Sequence, residues 1–354
     1  MASATASDGT TSTALLSVHE GRCVHERSAV ANCRACVDAC PTGAWIFDDE
    51  ALGLDTELCD GCGLCVGVCP VDALEAPTVA TLAREQPQRA VLDLACERSE
   101  TGGLPAVACL HATSPRELAE LYSRGLRELE VCDAPCADCS RAGKRPSLEA
   151  SLADLDRVLT ATGQPPLRMA VRSPAAWYRS ASARRRRDGT PDLGRRGLFR
   201  RILPASVEER HGGDGADEAL ASLVAKIPPG EPRPHVPRID PSRCVACHAC
   251  AQLCPTGAIY LERQSVGARY LLRPELCTAC GLCVDACEHD AVEVGRWAPW
   301  QQVVLDLVAD RCRACGVEFH TPAQPGGNAV EAGKSLCRIC VLKRPTKNLY
   351  QVLP

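Results

Sequence analysis

Cys244-Val-Ala-Cys247-His-Ala-Cys250-Ala-Gln-Leu-Cys254-Pro255 and, further on, Cys277-Thr-Ala-Cys280-Gly-Leu-Cys283-Val-Asp-Ala-Cys287 write one spacing, C-x2-C-x2-C-x3-C, twice. Proline follows the first copy, and Glu288 stands in its place in the second. Three cysteines so spaced can wrap one face of an iron–sulfur cube, and the fourth ligates the other cluster. The spacing therefore assigns Cys244, Cys247, Cys250 and Cys287 to one [4Fe–4S] cluster, and Cys277, Cys280, Cys283 and Cys254 to a second. Inert buried cysteines or disulfides would not put eight cysteines in one register.

This stretch resembles the bacterial-type dicluster ferredoxins, which implies a small α+β fold with short hairpins over the clusters. A second copy lies upstream. Cys59-Asp-Gly-Cys62-Gly-Leu-Cys65-Val-Gly-Val-Cys69-Pro70 is regular. Cys33-Arg-Ala-Cys36-Val-Asp-Ala-Cys40-Pro41 is not, because Val30 stands where its first cysteine belongs. Cys23 precedes Val30 and closes the site across a longer loop, whose extra length costs little entropy. His25, a three-iron cluster or an exogenous ligand are the alternatives. The expected sets are Cys23, Cys33, Cys36 and Cys69, then Cys59, Cys62, Cys65 and Cys40. The two copies are internal repeats: Cys40-Pro-Thr-Gly-Ala recurs as Cys254-Pro-Thr-Gly-Ala. Backbone N–H groups passing the sulfurs would tune the clusters, and in domains this small the metal supplies much of the stability.

The chain has 354 residues and 25 cysteines, 45% hydrophobic and 3% aromatic residues. That length suits two or three domains. So many cysteines would also suit an extracellular disulfide protein, but their spacings are those of metal ligands. Met1 to Glu20 lacks the basic start and apolar core of a secretory signal, and no run approaches the ~20 apolar residues of a membrane span. The expectation is a soluble cytoplasmic protein. Its formal charge of −4 becomes much more negative once thiolates hold metal, at roughly −2 per four-thiolate site, which disfavours a general nucleic-acid binder.

Between the repeats the pattern changes. Apolar runs at 89–95, 105–110, 128–132 and 167–171 read as strands. Ser114-Pro115-Arg116-Glu117 is a capping box that opens a helix ending near Gly125. Ser147 opens a second helix, with Leu148, Leu152, Leu155, Val158 and Leu159 at helical spacing. This alternation predicts a small parallel α/β domain. Its cysteines, Cys96, Cys109, Cys132, Cys136 and Cys139, fall at strand ends, where open α/β sheets build sites. The segments Ala95-Cys96-Glu97, Val107-Ala-Cys109-Leu110 and Cys132-Asp-Ala-Pro-Cys136-Ala-Asp-Cys139 resemble the [2Fe–2S] delta subunit of methyl-viologen-reducing hydrogenases over about 50 residues. That family spaces its last pair more widely, which leaves open which two of Cys132, Cys136 and Cys139 ligate. The favoured set is Cys96, Cys109, Cys136 and Cys139. Structural cysteines or a redox-active disulfide are the other readings.

Arg184-Arg185-Arg186-Arg187 is a basic run, read as a solvated face or a dock for acidic groups. Arg195-Arg196 superficially matches an export signal, but no apolar stretch follows it. The proline-rich segment 228–237 reads as a stiff spacer. At the end, Cys312-Arg-Ala-Cys315 and Cys337-Arg-Ile-Cys340 have the spacing of a four-cysteine zinc ribbon; a mononuclear iron site uses the same ligands. His19, His25, His111, His248 and His289 lie near ligand loops and read as outer-sphere or surface groups.

The expected fold class is therefore multidomain, α+β and α/β. Residues 1–22 form a flexible lead, 23–80 a dicluster ferredoxin-like domain, 88–172 the α/β [2Fe–2S] domain and 173–238 a linker. Residues 239–296 form a second dicluster domain and 297–354 a zinc-ribbon-like tail. No phosphate-binding glycine motif or nucleophile–base pair is visible. The expectation is an electron-transfer subunit, similar to polyferredoxins, that passes single electrons between redox partners. Its host would be a multi-subunit oxidoreductase such as a hydrogenase, a molybdenum or tungsten enzyme or a heterodisulfide-reductase-like complex. A thiol/disulfide oxidoreductase using the middle cysteines, or a redox-sensing interaction protein, is the alternative.

Overall fold

A computed structural model describes residues 10–13, 16–47, 52–79, 83, 89–102, 104–142, 147–187, 213–264, 267–300, 304–323 and 336–343. They divide into two units, Met1–Glu26 with Arg34–Pro228, and Arg27–Cys33 with Pro229–Pro354.

In the first unit, β1 (Thr10–Thr13), β2 (Leu16–His19), β3 (Trp45–Phe47), β4 (Leu52–Leu54) and β5 (Leu74–Glu75) are all short. β2 lies between β1 and β5, and β3 pairs antiparallel with β4. The helices Ala35–Ala39 and Leu64–Val68 complete this part. Leu16, Ala44, Trp45, Ala73 and Leu74 form its core with Cys36, Cys40, Cys65 and Cys69. The expected lead is therefore structured, as strand β1 over Thr10–Thr13 and again from residue 16 on. Leu16 is an apolar side chain with a core to enter, and Val18 pairs with Leu74. Residues 1–9, 14 and 15 of that lead lie outside the described residues.

The middle of the unit is a three-stranded parallel sheet, β6 (Val91–Leu94), β7 (Glu128–Cys132) and β8 (Arg168–Arg172), in that order. Helix Pro115–Ser123 begins with the full capping box of Ser114 and Glu117, and helix Leu148–Ala161 is capped by Ser147. The strand expected over 105–110 is only a parallel bridge between Cys96 and Val107. Pro105 has no N–H to donate, and the 3-10 helix Leu110–Ala112 takes over directly after Cys109.

The expected linker is also more ordered than its composition suggests. Pro174–Arg187 and Gly213–Ala225 are helices. Trp177 is buried and donates its Nε1–H to the Glu130 carbonyl at 2.9 Å. Arg184 forks onto Asp93 and Glu130, both nearly buried. The first arginine of the basic run thus answers acids of the protein's own sheet. Arg195 and Arg196 lie outside the described residues.

In the second unit, β9 (Pro232–Ile239) pairs antiparallel with β12 (Val292–Pro299), and β10 (Ile259–Arg263), β11 (Ala268–Leu272), β13 (Val304–Arg311) and β14 (Glu318–Pro322) form an antiparallel sheet in the order β10-β11-β13-β14. Two expectations change here. Most of the proline-rich spacer is strand β9, because a two-stranded ribbon has only edges, where a missing N–H is tolerated. Opposite Pro234 the ladder breaks, and Trp297 adopts a φ of 49°. Nor is the tail a separate module at its start: β13 places Leu305 and Leu307 in the core of Ile259, Tyr270 and Leu272. Residues 324–335 and 344–354 of the tail lie outside the described residues.

Candidate metal centres

The ligand loops share one backbone device. Between their cysteines, Gly61 and Gly63, Ala246 and His248, and Ala279 and Gly281 all have positive φ, from 52° to 81°. A left-handed residue costs a non-glycine about 1–2 kcal/mol. Ala246, His248 and Ala279 bear that strain at matching positions of two repeats. Residues alternating between the two hands turn successive N–H groups inward and form an anion-binding nest, a geometry that recurs at iron–sulfur sites. The irregular loop departs from the rule, since Arg34, where a left-handed residue would fall, has φ −122°.

A second device follows each fourth cysteine. Cys40, Cys69, Cys254 and Cys287 are each followed at the third position by Gly43, Asp72, Gly257 and Asp290, with φ between 45° and 70°. The next residue is always a buried alanine: Ala44, Ala73, Ala258 or Ala291. The alanine N–H donates to the cysteine sulfur at 3.3 Å in Cys40 and Cys69 and at 3.2 Å in Cys287. Ligand spacing does not disclose these groups; the fourfold pattern C-x-x-[GD]-A does.

In the second unit, burial raises the Cys250 thiol to about 12, and the sulfurs of Cys244, Cys247 and Cys287 add to it. Burial raises Cys277 to about 12 as well, reinforced by Cys254 and Cys280. Cys283 rises through burial and through Cys277, Cys280 and Cys254. In the first unit, burial raises Cys65 to about 12, with Cys59 and Cys40 adding to it. Thiols this crowded and buried become thiolates together only around a cation, so the donor sets fit a cationic metal centre. Cys23, Cys36 and Cys69 share one core, whereas Cys33 belongs to the second unit, where its sulfur acts on Cys280 and Asn32 N–H donates to Asp285 Oδ2 at 2.9 Å. Cys62 packs with Leu64, Cys109 and Ala112.

The middle cysteines converge on a half-open cleft lined by Cys96, Cys109, Cys136 and Cys139 together with His111 and Arg141. His111 Nδ1 accepts the Leu148 N–H at 3.1 Å, which leaves its proton on Nε2, 3.6 Å from the Cys136 sulfur. The imidazole therefore donates to that sulfur. Cys132 does not line the cleft; it is buried among Ala95, Trp177 and Ala181.

At the C-terminus, the sulfurs of Cys312, Cys315, Cys337 and Cys340 lie within 4.8 Å of one another, with Cys315 and Cys337 at 3.7 Å. A tetrahedral four-thiolate ion with metal–sulfur bonds of about 2.3 Å sets its sulfurs ~3.8 Å apart, so these four could hold one metal ion.

Residues 53–75, 237–260 and 270–293 match the family model of a 4Fe-4S binding domain, and residues 20–43 match a second family model of the same description. The chain carries 4Fe-4S binding motifs. They indicate an iron–sulfur electron-transfer protein. No curated protein matches the chain. Among the described residues, no helix is long and apolar enough to cross a membrane.

Proposed function

We propose that the chain is a polyferredoxin-like electron-transfer subunit of a multi-subunit oxidoreductase, handing single electrons between redox protein partners. The observation that carries this is the repeated loop, in which cysteine spacing, left-handed residues and N–H···S contacts recur together. The ligand sets are Cys244, Cys247, Cys250 and Cys287; Cys277, Cys280, Cys283 and Cys254; Cys59, Cys62, Cys65 and Cys40; and Cys23, Cys33, Cys36 and Cys69, each for one [4Fe–4S] cluster. The match over residues 20–43 encloses Cys23 and His25 alike; Cys23 is preferred because it packs against the core that holds Cys36 and Cys69. The cleft of Cys96, Cys109, Cys136 and Cys139 suits a [2Fe–2S] cluster, and the C-terminal four suit a structural zinc ion.

When bound, the clusters supply reversible one-electron chemistry. The protein's part is to exclude water through burial and to stabilise the charge on sulfur through the alanine N–H groups and the His111 imidazole. The test is anaerobic purification with metal analysis and EPR. The stoichiometry of these cluster types gives about 18 iron atoms and about one zinc per chain. About 16 iron removes the middle cluster, and about 8 undoes the first ferredoxin unit as well. Clusters that no low-potential donor reduces would overturn the reading. The Cys136–His111 contact favours one rival, thiol chemistry at the cleft; alkylation of the metal-loaded protein at Cys136 would support that instead.

A further inference from the structure

Arg141 is buried, and each of its contacts lies beside a cysteine of the proposed sites. Its Nε donates to Asp60 Oδ2 at 2.7 Å and its Nη2 to the Asp60 carbonyl at 3.4 Å; Asp60 follows Cys59 and accepts the Cys62 N–H at 3.2 Å. Its Nη1 donates to the Ala108 carbonyl at 2.6 Å, next to Cys109. Its Nη2 meets Glu97 at 2.9 Å, next to Cys96. Arg141 itself follows Cys139 by two residues and lines the cleft. One guanidinium thus ties the Cys59–Cys62 loop to three of the cleft's four cysteine loops. The apolar contact is made by Cys62 and Leu64 against Cys109 and Ala112. A buried arginine spending four of its five donors this way fixes geometry and supplies a permanent positive charge.

We infer that the site of Cys40, Cys59, Cys62 and Cys65 and the cleft of Cys96, Cys109, Cys136 and Cys139 exchange electrons directly, with Arg141 as the positioning residue for both. This rests on the cluster reading above. The step is a one-electron exchange: one site is oxidised and the other reduced, no proton moves, and no bond forms or breaks. Because a positive charge beside a site favours its reduced form, Arg141 holds the potentials of both sites up.

The test uses the full chain with its clusters in place. With both sites reduced, their EPR signals should broaden each other. If the cleft holds no cluster, the cluster reading falls and this route with it; if the cluster is there and the signals are independent, the route alone falls. Arg141→Gln should lower the midpoint potentials of both sites and leave those of the second unit unchanged, and Arg141→Lys should restore them. A shift at one site only, or at neither, overturns the inference. Should Arg141→Gln lose the cleft cluster, Asp60→Asn keeps the arginine and weakens only the tie to the ferredoxin loop. It should slow exchange between the two sites roughly tenfold in freeze-quench experiments, the scale of one charge-assisted hydrogen bond. An unchanged rate would refute the route.

Discussion

Gly67→Ala is the sharpest probe of how the first ferredoxin part meets the α/β part. Gly67 lies inside helix Leu64–Val68, where alanine is the better residue by about 1 kcal/mol. Propensity alone therefore predicts a more stable protein. Packing predicts the reverse. A Cβ on Gly67 would stand 2.7 Å from the Ala112 carbonyl carbon and closer still to its oxygen, against an optimum of roughly 3.5–4.0 Å for carbon contacts. The obstacle is backbone, held by the Thr113 hydroxyl on the Leu110 carbonyl at 2.9 Å, so no side chain can swing away. Overpacking then costs about 3 kcal/mol, the upper end of its usual range. Set against the helix gain, the net loss is ~2 kcal/mol, a factor of roughly 30 in the folded-to-unfolded ratio. Cluster loss makes unfolding irreversible, so the assay is the rate at which colour bleaches in denaturant with a chelator present. Bleaching should quicken by up to about 30-fold if the cost falls on the unfolding barrier. Gly53→Ala, where nothing lies within 4 Å, serves as the control and should change little. If Gly67→Ala is as stable as the unaltered protein or more so, the helix does not rest on Ala112, and the juxtaposition of Cys62 and Cys109 falls too.

Four further outcomes are expected. Ala279→Gly relieves a left-handed alanine and should keep the iron content, whereas Ala279→Val adds a β-branch at φ 57° and should lower iron by about four atoms per chain, one cubane; equal iron in both variants would refute the backbone argument. Arg184→Ala takes the guanidinium from the nearly buried Asp93 and leaves Glu130 with Arg172 and Ser180, and should cost about 3 kcal/mol, the lower end for a broken buried pair, by tryptophan fluorescence in urea. Although burial opposes it, Arg184 and Ser180 hold Glu130 below its ordinary range, so its contribution is full above the unfolded-state value and fades as pH falls through the lower folded one. The acid sensitivity of the α/β part should shrink in Glu130→Gln. Cys340→Ser should remove one metal equivalent and leave iron unchanged; iron lost in parallel would place a cluster metal at the knuckles.

Much of the fold follows from local rules that need no tertiary knowledge. The capping box at Ser114, the cap at Ser147 and the strand over Glu128–Cys132 are short-range signals, and each element starts where its side chains dictate. What the chain hides is set at long range. Pro105 spoils a strand whose apolar pattern is sound. The prolines of β9 resemble a spacer until Val292–Pro299 offers them an edge. Leu305 and Leu307 look like the start of a tail until Tyr270 provides the wall they pack on. The 4Fe-4S binding motifs were legible because metal chemistry fixes their spacing; the contacts of Arg141 were not, because they depend on loops brought together by folding.

The place of β13 also decides where this protein can be divided. A chain stopped before Val304 would keep every cysteine of the second ferredoxin repeat yet strip the neighbour from β11, baring an unpaired edge and the face of Tyr270. Such edges seek other chains. The repeat that ends at Cys287 and the hairpin after it are therefore one inheritable piece: recombination at Cys287 would yield a sticky sheet, and a cut that also keeps the four-cysteine group whole comes only after Cys340.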